Sequence, residues 1–188
     1  MSVPVWKRKL SSAQFIYEVY TLNIRLGEIL ENKPQKYKAN YADDIIKTAL
    51  EALEHLQIAD SIYLTKYSSV KDYEIRREHL LVARGQIEHV ATTSFIFLEI
   101  VKRHHHASEG KPKKRRKSVN IELTPEEVAA MTDEAEERRR KQEAEYKKKI
   151  ADQEIEIGES CETAYNLISG LLDSDKELYK QYIKPKEL

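Results

Sequence analysis

The chain has 188 residues, of which 40% are apolar, 34% charged and 8% aromatic, with five glycines, five prolines and one cysteine. That composition excludes collagen-like, disulfide-stapled and low-complexity classes and fits one compact domain with an extension. Basic and acidic residues balance at 32 each, but residues 1–117 hold 21 basic and 14 acidic side chains (+7) and residues 118–188 hold 11 and 18 (−7), so electrostatic attraction to an anionic partner belongs to the first part. A lone Cys161 fits a reducing compartment. No apolar run approaches the roughly 20 residues that cross a bilayer, and the N-terminus lacks a signal-peptide core. The expectation is a soluble, cytoplasmic protein with no membrane partner.

In chain order, Phe15, Val19, Leu22, Leu26 and Ile29 step by three and four and predict a first amphipathic helix, capped by Ser11 or Ser12 and ended before Pro34. A second stripe runs through Ala42, Ile46, Ala49, Leu53 and Leu56 toward Ile62 and Tyr63, with Asn40 as its cap and Asp43 and Asp44 in its first turn. The third helix begins near Ser69 and carries Leu80, Ala83, Ile87, Val90, Ser94, Phe97 and Val101; Gly85 within it suggests a close helix crossing. From Arg103 to about Lys149 the chain has few large apolar residues and cannot support a core position. Thr124, Pro125 and Glu127 form a capping-box signature, so a charged helix starts there and runs for about 48 residues into a fourth core stripe of Ile157, Cys161, Ala164, Ile168 and Leu171. A short terminal helix is expected from Asp173.

These elements predict an all-α, antiparallel up-down-up-down four-helix bundle: helices 1 to 3 in residues 1–103, a charged linker and protruding helical extension in 104–149, and helix 4 with a short terminal helix in 150–188. Ile16, Leu30, Leu81, Phe95 and Leu98 lie beside the main stripes and widen the apolar faces, which suggests a subunit interface.

No histidine has a glutamate three residues before it and no second cysteine accompanies Cys161, so neither a metal site nor a cofactor is expected. His104, His105 and His106 read as a polar tract at a helix end. Arg84 and His89 match the Arg-x4-His spacing of the HEPN ribonucleases, in which histidine serves as acid or base and arginine holds the phosphate. The alternative is a surface arginine and a histidine flanking the core.

The stronger signal is the distribution of cations. Lys7, Arg8 and Lys9 precede the first helix; Lys33, Lys36 and Lys38 fill the first loop beside Tyr37 and Tyr41; Lys66 and Lys71 fill the second beside Tyr63, Tyr67 and Tyr73; Arg76 and Arg77 follow. Lys113, Lys114, Arg115, Arg116 and Lys117 form a denser cluster in the linker. Cations neutralise phosphates and tyrosine rings stack unpaired bases, although tyrosines at helix ends also seal bundles.

Val3-Pro4-x-x-Lys7-Arg8, the string YEIRREHLLVARGQI over 73–87 and LISGLLDSDKELY over 167–179 resemble the accessory variability determinants (Avd) of diversity-generating retroelements and the related four-helix-bundle proteins encoded in ribosomal RNA intervening sequences. The resemblance spans about residues 1–103 and 150–182, and the roughly 47-residue insertion departs from it. It implies a non-enzymatic basic bundle that forms a homo-oligomeric ring, typically a pentamer. The ring binds a reverse transcriptase with structured template RNA and the complementary DNA (cDNA) copied in mutagenic retrohoming. The basic positions that match are Lys7, Arg8, Arg76 and Arg77. Alternatives are an HEPN-like ribonuclease using Arg84 and His89, or a purely structural helical interaction protein.

Overall fold

The computed structural model describes residues 13–31, 33, 41–109 and 125–183, with backbone alone for 104–109 and 125–135. Among them lie four helices and no strand: α1 (Gln14–Glu31), α2 (Asp43–Ser61), α3 (Val70–Glu109) and α4 (Pro125–Leu178), the last followed by a π-helical turn over Tyr179–Ile183. α1 packs on α2, α2 on α3, α3 on α4, and α4 back on α1. Cross-helix contacts fix the directions. Arg25 meets Ser160 while Lys33 meets Gln153, His55 meets His79 while Glu51 meets Gln86, and Arg76 meets Asp175 while Arg84 meets Tyr165. In each pair one number rises as the other falls, so neighbouring helices are antiparallel and the bundle runs up-down-up-down.

The core follows the three-and-four spacing of the sequence. All five α1 stripe residues are buried, as are all seven on α3. Ile16, Leu30 and Leu98 are also buried, between 0% and 2% exposed, within the single chain; the bundle uses these three itself, which corrects their reading as a spare face. Leu81 is half-buried and Phe95 is exposed. On α2 the stripe is shifted from the expected one: Ile45, Ala49, Ala52, Leu56 and Ala59 are buried, whereas Ile46 and Leu53 pack only at its edge. Adjacent apolar pairs, Ile45–Ile46 and Ala52–Leu53, give α2 two stripes about 100° apart, and the α3 contact selects the first. α2 stops at Ser61 and leaves Tyr63 exposed.

α3 starts on a reciprocal cap. The Asp72 backbone N–H donates to Ser69 Oγ (3.1 Å), and Ser69 N–H and Oγ–H both donate to Asp72 Oδ2 (3.0 and 2.7 Å), a capping box with aspartate at the third helical position. These bonds to the carboxylate hold Asp72 below the ordinary value. The helix then continues to Glu109, six residues past the expected boundary. A Cβ added at Gly85 meets nothing within 4 Å, so no close crossing occurs there. α4 runs through Gly170 and Asp173 without a break, which replaces the separate terminal helix. Its first half protrudes: every described side chain from 136 to 142 is exposed, and Glu136–Arg140, Glu137–Lys141 and Glu143–Lys147 pair at i,i+4 along it, each worth about 0.3–0.5 kcal/mol. Burial begins at Ile150. The caps assigned to Ser11, Ser12, Asn40 and Thr124 lie outside the described residues.

Candidate nucleic-acid interface

At one end of the bundle α2 finishes, α3 starts and α4 finishes, and a single arginine joins the three. Arg76 Nε donates to Asp175 Oδ2 (2.6 Å), and its Nη1 donates to the carbonyls of Ala59 (2.6 Å) and Ile62 (3.1 Å). Both residues of the ion pair are 8% exposed. The guanidinium thus reaches two carbonyls at the C-terminus of α2, that of Ile62 and that of Ala59, which also accepts the Ile62 N–H (3.2 Å), and a buried charge is tolerated because it is paired and hydrogen-bonded. Beside it the Tyr73 and Tyr179 rings stack at 4.2 Å with 15° between planes.

The Tyr73–Tyr179 stack lines a cleft of about 780 Å³ together with Arg77, Lys176, Lys180, Glu74 and Glu78. Lys180 Nζ donates to Glu177 Oε1 (2.8 Å); that bond raises the lysine above its ordinary value and lowers the glutamate. The neighbouring 62–69 loop is turned by Ser68 Oγ accepting the Thr65 N–H (2.8 Å) and presents Tyr63 and Tyr67 at 83% and 79% exposure, with Lys66 Nζ 5.0 Å from the Tyr67 ring centre. Exposed rings among cations are the parts from which single-strand binding is built.

The cations expected from sequence divide into three groups. Lys66 and Arg77 are exposed at this end. Arg76 is not available to a phosphate: burial against Asp175 corrects its assignment, and Tyr73 is likewise sealed by Tyr179. Lys33 is also corrected. It is buried, its Nζ donates to Gln153 Oε1 (2.6 Å), and desolvation, with Lys149 nearby, lowers it to about 8. Tyr41 is half-buried and tilted against Phe97. Lys7, Arg8, Lys9, Lys36, Lys38, Lys113, Lys114, Arg115 and Arg116 lie outside the described residues. Because Lys33 meets Gln153 and Arg25 meets Ser160, Ala13 sits at the cleft end of the bundle and Lys33 at the opposite end.

Sequence reasoning missed Lys176, Tyr179 and Lys180 as partners of Arg77. Their signal was the i,i+4 lysine pair, which shares one helix face.

Arg84 and His89 diverge. The Arg84 guanidinium lies 5.5 Å from the Tyr165 ring centre on α4, whereas His89 Nε2 is 3.6 Å from Asp44 Oδ2 on α2 and 3.3 Å from Thr93 Oγ1. Among the described residues no three His, Cys, Asp or Glu side chains converge as a metal site. Burial pushes the Cys161 thiol up to about 12, leaving it without thiolate character near neutral pH. His55 and His79 face one another with Nδ1 atoms 2.7 Å apart.

No family model, curated protein or solved structure matches this chain. The Avd resemblance therefore rests on its own residues, and two of the three strings that carry it meet at this joint: Tyr73 and Arg76 come from one, Asp175 and Tyr179 from the other. No described helix is long and apolar enough to cross a membrane.

Proposed function

We propose that this chain is a non-catalytic accessory subunit of a diversity-generating retroelement, a cytoplasmic homo-oligomer, pentameric by resemblance, that binds a reverse transcriptase together with structured template RNA and the cDNA copied from it. The observation that carries this reading is the meeting of the 73–87 and 167–179 strings at Arg76–Asp175 and Tyr73–Tyr179, which places Arg77, Lys176 and Lys180 around one cleft. Residues at the heart of the resemblance thus build the scaffold under a rim on which Arg77, Lys176 and Lys180 stand among Glu74 and Glu78. Phosphate contacts from that rim position RNA without reading its sequence; Tyr63 and Tyr67 offer rings for unpaired bases. The basic tracts at Lys7 to Lys9 and Lys113 to Arg116 supply further counterion release.

The reading expects a reverse-transcriptase reading frame next to this gene, and the test is co-expression of that enzyme and its template RNA with this chain; a neighbourhood without such a frame contradicts the reading. The reading expects the three to co-elute on size exclusion and expects cDNA yield to depend on this chain. A reverse transcriptase that elutes alone and copies equally well without it contradicts the reading.

A further inference from the structure

Away from the cleft, α2 and α3 are joined by a contact that the proposed function does not use. His55 and His79 oppose their Nδ1 atoms at 2.7 Å, and their ring centres are 5.0 Å apart with 37° between planes. The centre-to-centre distance exceeds the nitrogen separation by about two ring radii, so each nitrogen points at the other along the line of centres. That is the geometry of an in-line N–H···N hydrogen bond, with one ring donating and the other accepting.

A neutral imidazole has one N–H and one lone pair. The neutral pair supplies one donor and one acceptor across the contact. One added proton is accommodated at the outer nitrogen of the donor ring, and the bond becomes charge-assisted. A second added proton must occupy the accepting Nδ1. Both inner nitrogens then carry N–H, no acceptor remains, and two like charges face each other at hydrogen-bond distance.

The surrounding charges do not offset this. From α2, Glu51 lies one turn before His55, but it accepts from Gln86 Nε2 (3.2 Å) and pairs with Lys47 (3.7 Å). From α3, Arg76 lies one turn before His79, and its charge is matched by Asp175 from α4. Glu54 and Glu78 adjoin the two histidines in sequence and are exposed. α1 meets α2 on another flank, through Asn23 Nδ2 and the Ala49 carbonyl.

We infer that His55 and His79 form a proton-operated clasp between α2 and α3, closed while the pair holds at most one extra proton and opened by the second. The C-terminal half of α2 is what the clasp holds to α3, so acid loosens that segment before the rest of the bundle. The inference is independent of the retroelement reading, because it concerns only the α2–α3 contact.

The full-length chain, His55→Gln, His79→Gln and the double variant are unfolded in urea between pH 7.5 and 5. Near pH 5, well below the range where imidazole ordinarily titrates, about pH 6.5, the unfolded parent holds about two of these protons and the folded parent at most one. Relative to the double variant, its unfolding constant therefore steepens toward about a tenfold rise per unit fall in pH as pH 5 is approached. His89 and His104 to His106 are common to both proteins and cancel. Parallel pH profiles overturn the clasp. Should the glutamine variants fail to fold, nitrogen-15 histidine spectra of the parent decide alone: loss of the Nδ1 hydrogen bond together with faster amide exchange in residues 52–61 at pH 5 supports it. Two fully protonated rings with unchanged exchange there overturn it.

Discussion

Replacing Asp175 with alanine removes the carboxylate paired with Arg76 and leaves a guanidinium buried with the two carbonyls of Ala59 and Ile62. The side chains of the pair are only 10% and 12% exposed, so water cannot take over the lost interaction. Breaking one half of such a pair costs about 3–5 kcal/mol, because the remaining charge stays desolvated. A domain of ordinary stability has about 5–15 kcal/mol in total, and for a chain of 150–250 residues each kcal/mol moves Tm by about 2–4 °C. Asp175→Ala is therefore expected to lower Tm by roughly 6–20 °C in a thermal melt followed by far-ultraviolet circular dichroism. The paired change Arg76→Met with Asp175→Leu removes both charges and is expected to recover most of that loss, since apolar side chains of similar volume often replace a buried ion pair at little cost. A fall below 2 °C for Asp175→Ala, or equal losses for the single and paired variants, refutes the reasoning that this ion pair locks three helices together.

Lys33 gives a second test. Its folded value of about 8 lies below the ordinary 10.5, so between those limits the unfolded chain holds more protons and stability rises with pH. The charged amine costs roughly 3 kcal/mol below about pH 8; Lys33→Met, which also gives up the Gln153 hydrogen bond, is expected to stabilise by a net 1–2 kcal/mol and to flatten the rise between pH 8 and 10.5 in urea titrations. A destabilised variant with the parent's slope contradicts this. For assembly, light scattering is expected to return a multiple of the 22.0 kDa chain, and Phe95→Glu with Ile155→Glu, which charges the exposed apolar groove between α3 and α4, to reduce it; a 22 kDa species at micromolar concentration sinks the ring. Labelled single-stranded RNA is expected to stay intact with the purified protein, because Arg84 and His89 point to different helices. Cleavage that disappears in His89→Ala would install the ribonuclease reading instead.

The parts of the fold that were legible in the sequence are those where one apolar stripe has no rival. On α1 and α3 the main-stripe residues stand three or four apart, and Ile16, Leu30 and Leu98 only widen that same stripe. On α2 two neighbouring stripes compete, and only the position of α3 chooses between them. The run from Pro125 into the fourth stripe was readable as one helix because no breaker interrupts it, yet its end was misplaced at Asp173. The candidate site was less legible. Arg76 and Arg77 are adjacent and chemically identical, but one reaches Asp175 across 99 positions and the other faces solvent. A helical period separates the two by about 100° without saying which one turns inward. Lys33 reads as a loop cation until Gln153 of α4 is placed over it. The His55–His79 contact joins positions 24 apart on different helices, and no periodicity on either helix encodes which rung meets which.

The central claim, that the end of the bundle carrying Arg77, Lys176 and Lys180 holds nucleic acid through its phosphates, is tested most directly by the salt dependence of single-stranded RNA binding. Fluorescence anisotropy of the parent is compared with Arg77→Gln, Lys176→Gln and Lys180→Gln combined. Each lost contact removes about 0.7 from the slope of log affinity against log salt on a single strand, so the triple variant is expected to bind more weakly with a slope shallower by about 2. An identical slope and affinity in parent and variant, or binding that ignores salt, contradicts the account.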